Sequence, residues 1–196
     1  ATLGDVSLEN TQPFQRELGG RIHVFAHNGD LPGVLDSPRY RSHNHRPVGT
    51  TDSEQAFCYL LERLRESWLG GEPPEFATRW QIFQEVCADL RVHGPANLLY
   101  TDGDYLFVHG NQRTQADGIK SPPGLHWLCR ECTRESEGRP VSDAFSVTDV
   151  ISGEPADLQT VVLVASVPLT DEPWCAMAEG EMLAAHRGSI VARATP

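Results

Sequence analysis

The sequence predicts an α+β fold in which helices are layered on sheets. Three observations carry that prediction. Two helical stretches follow one another at 51–68 and 76–92, strand patterns lie before and after them, and no strand–helix–strand alternation runs through the chain.

Residues 21–26 are rich in β-formers, with Ile22, Val24 and Ala26 on one face, and they run into the turn signal Asn28-Gly29. Residues 30–49 mix Gly, Pro, His and Arg and predict a surface loop able to lie over a site. Thr51 and Glu54 then have the spacing of a capping box, and Ala56, Phe57, Leu60, Leu61, Leu64 and Trp68 form a helical stripe. Gly70-Gly71 and Pro73-Pro74 end that helix. A second helix over 76–92 turns Trp80, Phe83, Val86, Cys87 and Leu90 inward. Two strands, 96–100 and 105–109, flank the tight turn Thr101-Asp102-Gly103-Asp104. Leu125-His126-Trp127-Leu128 reads as a further strand, whereas 130–157 is polar and broken and gives no pattern. The continuous apolar run 160–167 predicts a strand buried on both faces. Residues 181–186 and 189–193, joined by Arg187-Gly188, close the chain as a hairpin.

With 196 residues the chain suits one domain, 1–196, large enough to bury a substantial core. Its 39% hydrophobic and 22% charged residues are those of a globular protein. A net charge of −11 argues against nucleic acid or an anionic membrane surface as partner. No apolar run reaches the roughly 20 residues that span a bilayer. Five cysteines, an odd number, fit reduced thiols in a cytoplasm better than a disulfide framework.

The pair Asn28-Gly29 has two readings. One is a plain hairpin turn, which Asn-Gly forms readily. The other is an oxyanion hole for acyl transfer. An Asn side-chain amide and the backbone N–H of the next residue can converge on one developing charge about 2.7–3.1 Å away. Gly at the second position would permit φ > 0 and a close backbone approach. Asp52, at the mouth of the first helix, likewise reads either as a carboxylate complementing the helix dipole or as a receptor for a substrate cation.

The order Asn10-Thr11-Gln12-Pro13-Phe14, strand, His27-Asn28-Gly29, then Gly49-Thr50-Thr51-Asp52-Ser53-Glu54 resembles the class II glutamine amidotransferases, whose nucleophile is an amino-terminal cysteine. The match is closest to their compact bacterial single-domain subgroup. It continues through Asn97-Leu98-Leu99-Tyr100-Thr101-Asp102-Gly103 and Val164-Ala165-Ser166-Val167-Pro168-Leu169-Thr170. The resemblance implies that Asn28 and Gly29 form the oxyanion hole and that Asp52 accepts the α-ammonium of glutamine. It also implies a four-layer α/β/β/α sandwich of the Ntn-hydrolase type. The family holds the substrate α-carboxylate with an Arg-x-Ala-Thr/Ser-x-Gly segment. Ala1-Thr2-Leu3-Gly4 matches its last four positions, which makes Thr2 a carboxylate-binding candidate. Where the family often has His, this chain has Gln12, which leaves that position without an inherited role.

In such enzymes the chain's own α-amino group, with a pKa of about 7.7–8.0, serves as base for the first side chain. Ala1 carries no nucleophilic atom, and all five cysteines are internal; Cys58, Cys87 and Cys175 read as packing residues. The chain is therefore expected to be an amino-terminally shortened stretch of a longer protein, with the nucleophilic Cys and the carboxylate-binding Arg upstream. Alone it should not turn over glutamine. Missing upstream strands would leave a sheet edge open, so a companion segment or an unstable fragment is expected. With no synthase domain after Pro196, any ammonia acceptor would be water or a partner enzyme. Two other readings stay open: a γ-glutamyl hydrolase of thiol metabolism, as in the ergothioneine pathway, and a non-catalytic γ-glutamyl or amino-acid sensor.

No cofactor is implied and no metal site is expected. Cys129 and Cys132, with His126 nearby, lack the fourth ligand of structural zinc and read as a coincidental loop pair. His43 and His45 lie two apart on a polar loop and read as solvated. Asp102-Gly103-Asp104 lacks the twelve-residue pattern of a calcium loop.

Overall fold

The computed structural model describes residues 5–68, 72–132 and 159–195. Its strands are β1 (Phe14–Leu18), β2 (Arg21–Gly29), β3 (Ala96–Thr101), β4 (Leu106–His109), β5 (Arg113–Thr114), β6 (Lys120–Ser121), β7 (His126–Cys132), β8 (Gln159–Ala165), β9 (Cys175–Ala176), β10 (Met182–His186) and β11 (Ser189–Ala194). The α-helices are α1 (Pro32–Asp36), α2 (Asp52–Arg65) and α3 (Phe76–Leu90). A six-stranded sheet runs in the order β1-β2-β3-β4-β10-β11, every neighbouring pair antiparallel. A three-stranded sheet, β8-β7-β9, and the two-stranded β5-β6 complete the strands described.

The helices cover one face of the six-stranded sheet. Phe57, Leu60, Leu61 and Leu64 of α2 and Phe83, Val86 and Leu90 of α3 pack on Phe25, Leu98, Tyr100 and Phe107. The opposite face meets the three-stranded sheet: Leu99, Leu106, Val108 and Leu183 share a second core with Trp127, Val164 and Met177. The described residues thus form three layers, helix, sheet and sheet. A fourth, helical layer is not among them.

Thr51 caps α2, its hydroxyl accepting the Glu54 N–H at 3.2 Å. The reciprocal half of a capping box is absent here. The Glu54 carboxylate instead accepts the N–H groups of Val48 at 3.0 Å and Gly49 at 2.7 Å and pairs with Arg16. Loop 30–49 is more ordered than a polar composition suggests, holding α1 and a 3₁₀ turn that buries Tyr40. The run over β8 is half-buried, not buried on both faces, because among the described residues β8 pairs only with β7 and so lies at an edge of its sheet. On β2 the helix-facing side is His23, Phe25 and His27, all buried, and the Ile22, Val24 and Ala26 side faces away from the helices. Cys58 and Cys87 are buried as expected, but Cys175 is exposed, so it is not a packing residue. Cys129 and Cys132 lie on strand β7 and not in a loop. Among the described residues no helix is long and apolar enough to cross a membrane, and no group of three His, Cys, Asp or Glu could hold a metal ion.

Candidate active site

Asn28 and Gly29 are not a hairpin turn. They are the last two residues of β2, in register with Asn97 and Ala96 of β3. Gly29 does not need the positive φ that the sequence suggested; it needs the missing side chain. A Cβ there would stand 1.7 Å from the Pro95 carbonyl oxygen and 2.6 Å from Nε2 of His27.

Strand alternation puts His27 and Asn28 on opposite faces. His27 is buried on the helix side, where Nε2 lies 3.0 Å from the Pro95 carbonyl and Nδ1 lies 2.9 Å from Oγ of Ser53. A carbonyl only accepts, so Nε2 carries the proton and Nδ1 of the neutral ring accepts the Ser53 hydroxyl. Burial pushes the His27 pKa below its ordinary value, against the pull of the Pro95 carbonyl and the Asp52 and Asp30 charges. The ring is therefore neutral near pH 7.

Asp52 sits half-buried at the first turn of α2. One carboxylate oxygen accepts the backbone N–H of Leu31, and the other lies 3.2 Å from the Ser53 hydroxyl. That hydroxyl has one proton, and His27 takes it at the shorter distance, which leaves lone pairs of Asp52 for another donor. The structure therefore links Asp52 to the Asn28-Gly29 strand end by its hydrogen bond to Leu31, three residues beyond Asn28, while its chain neighbour Ser53 bonds His27.

On the other face, the Asn28 side-chain amide donates to Oγ of Ser166 at 2.7 Å, and the Asn28 carbonyl accepts the Asn97 amide at 2.8 Å. Asn97 is fully buried; it also donates to the Gln112 carbonyl at 2.7 Å and accepts the Asn111 N–H at 2.8 Å. Because the peptide unit is planar and trans, a bond that fixes the Asn28 carbonyl also fixes the opposite direction of the Gly29 N–H. A side-chain amide and an oriented backbone N–H at one strand end can stabilise an oxyanion.

The segment 10–14 knits these parts together. Oε1 of Gln12 accepts the His27 N–H at 2.6 Å, just past the start of β1, where a strand carbonyl would otherwise serve. Oδ1 of Asn10 accepts the Thr50 N–H at 2.9 Å. Gln12 thus has a structural task of its own, which its departure from the family pattern did not reveal. Sequence reasoning also missed Ser53, Asn97 and Ser166. All three lie inside segments that carry the resemblance, but nothing in their spacing marks them. Thr2 lies outside the described residues. Burial raises the thiol pKa of Cys58 to about 11, that of Cys87 well above its ordinary value, and that of Cys129 as well.

Comparison with known proteins shows the family of the chain. The family model described as class II glutamine amidotransferases matches residues 1–196. YafJ of Escherichia coli, which its name places among the glutamine amidotransferases, is 34% identical over 92% of this chain and 64% of its own length. A Haemophilus influenzae protein with the same kind of name is 30% identical over 98% of this chain and 59% of its own. A Pseudomonas aeruginosa crystal structure, titled as a glutamine amidotransferase by prediction, superposes with a TM-score of 0.68 at 31% identity. It covers 94% of this chain and 66% of its own. The chain thus spans about six-tenths of the length of these curated relatives.

Proposed function

Because the chain belongs to the class II glutamine amidotransferases, we propose that it supplies the glutamine-binding half of an enzyme that hydrolyses the γ-amide of glutamine or of a γ-glutamyl compound. The nucleophile we assign is an amino-terminal cysteine upstream of Ala1, with its own α-amino group as base. The thiolate adds to the γ-carbonyl carbon, and the resulting oxyanion is held by the Asn28 amide and the Gly29 N–H. The intermediate collapses, the C–N bond breaks, and ammonia leaves with the proton that the α-amino group took from the thiol. Water then adds to the thioester, releasing glutamate and the free cysteine. Asp52 reads the substrate α-ammonium, and Thr2 contributes to holding the α-carboxylate. Ammonia passes to water or to an acceptor enzyme.

The observation that carries this reading is the strand end itself. Asn28-Gly29 closes a paired β-strand instead of turning, and the Asp52 carboxylate is bonded to the same chain segment three residues on. The raised thiol pKa values of Cys58, Cys87 and Cys129 support a nucleophile other than these internal cysteines.

The test uses the protein with its native amino terminus and measures glutamate released from glutamine and from γ-glutamyl amines. Asn28→Ala should lower kcat by about 10²–10³ with little change in KM, as loss of one oxyanion donor does. Asp52→Ala should raise KM for glutamine with a smaller effect on kcat. Binding of glutamine without turnover by the cysteine-bearing protein would replace the enzyme with a sensor. An unchanged KM in Asp52→Ala would remove the ammonium role.

A further inference from the structure

We propose that Ser166 is a positioning residue for the reaction, holding the Asn28 amide in the orientation that meets the oxyanion; the inference rests on the oxyanion-hole reading above. Asn28 ends its strand exposed, and an exposed Asn side chain samples several rotamers and both amide faces. Its NH₂ has two hydrogens. The bond of 2.7 Å to Oγ of Ser166 takes one of them, which fixes the amide plane and leaves the second hydrogen for the substrate.

Ser166 is well placed for that task because it is itself held. It follows the last residue of β8, which pairs along its length with the neighbouring strand β7. His126 and Ala165 are direct cross-strand partners. Asn28 belongs to the six-stranded sheet and Ser166 to the segment leaving the three-stranded one, 138 residues apart in sequence. The donor pair is therefore oriented from two sides. Asn97 sets the Asn28–Gly29 peptide from within the first sheet, and Ser166 sets the Asn28 side chain from the second. An amide already aimed at the developing charge spends no reorganisation when the charge appears, so its effect falls on kcat and not on ground-state binding.

The experiment is a double-mutant cycle on the protein with its native amino terminus, with glutamate release as readout. Ser166→Ala should lower kcat about 10- to 100-fold, the scale of a misplaced catalytic group, with KM for glutamine within about twofold. In an Asn28→Ala background the same change should cost nothing further, and Ser166→Thr should restore most of the rate. An additive loss in that background would mean that Ser166 acts on its own and would overturn the proposal; so would an undiminished kcat in Ser166→Ala. Should Asn28→Ala itself leave kcat unchanged, the oxyanion-hole reading fails first. A crystal structure of Ser166→Ala gives an answer independent of activity. The Asn28 amide should leave its present orientation, and an unmoved amide would refute the assignment.

Discussion

At the scale of single residues, the site depends on a place where no side chain fits. Gly29 sits in the crook between the His27 ring and the Pro95 carbonyl, which are themselves bonded at 3.0 Å. An added methyl cannot be absorbed by a flexible neighbour, because its nearest contact is backbone, at 1.7 Å. Either Pro95 retreats and His27 loses its acceptor, or β2 leaves its register with β3 at Gly29↔Ala96. Gly29→Ala should therefore cost about 1–3 kcal/mol of stability, the range for overpacking. It should also lower kcat more than tenfold by turning the N–H that we assign to the oxyanion. Thermal unfolding and glutamate release measured on the same preparation separate the two effects. A variant with native Tm and native kcat would show that the strand end yields freely. Asn-Gly as a residue pair was legible in the sequence, and so was the place of Asp52 at the mouth of the first helix. That it ends a strand was not, because the same two residues suit a hairpin turn equally well and only the register with Asn97 and Ala96 decides.

At the scale of elements, α3 is fastened to the β3–β4 hairpin by charge as well as by packing. The buried guanidinium of Arg79 donates to Asp102, fully buried, at 2.9 Å and to Asp104 at 3.2 Å, and it lies over the Tyr105 ring. Asp102 also accepts the N–H groups of Asp104 and Tyr105, both at 3.0 Å, so one carboxylate shapes the turn and anchors the helix. Asp102→Ala should destabilise by about 3–5 kcal/mol, the cost of stranding a buried partner. The retained Asp104 pulls the effect toward the lower end. Asp102→Asn keeps an acceptor for the turn and should cost less; denaturant midpoints of both variants rank them, and equal midpoints would deny the turn its share. Helices α2 and α3 and both hairpins were legible because their signals are local: helical stripes, the Thr51 cap, and the turn pairs Asp102-Gly103 and Arg187-Gly188. Tertiary choices were not. The burial of β8 depends on which strand lies beside it, and the inward face of β2 carries His23 and His27, which hydropathy assigns outward. Segment 10–14 was recognisable as a motif, yet its work, bonding Thr50 and His27 together, appears only in three dimensions.

At the scale of the whole molecule, three buried histidines, His23, His27 and His109, make stability depend on pH above the carboxylate range. Burial is the largest cause of the lowered pKa in each, and for His109 it brings the value to about 4. Nδ1 of His109 donates to the Ala96 carbonyl at 2.6 Å, while Nε2 is buried with no partner among the described residues, so a second proton would add an unpaired charge. In the unfolded chain the same ring titrates near 6.5. Above pH 6.5 neither state holds the extra proton and the full stability is present. As pH falls toward 4 the unfolded chain binds protons that the native state refuses, so stability declines; below the native pKa the loss levels off. At about 1.4 kcal/mol per pKa unit, His109 alone accounts for about 3 kcal/mol across that window. His23 and His27 act in the same direction. The depressed carboxylates Asp104 and Glu62 lose their contribution as pH falls through and below their ordinary values of 3.8 and 4.5, at the acid end of this range. The net charge of −11 works oppositely, since approach to the isoelectric point near 5.1 relieves repulsion. A comparison isolates the histidine because the net-charge effect is nearly common to both proteins. Urea midpoints of the native sequence and of His109→Gln at pH 7, 5.5 and 4.5 should converge as the pH falls, by roughly the 3 kcal/mol assigned to that ring. Parallel profiles would show that His109 is protonated in the folded state and that the interior around Ala96 admits the charge.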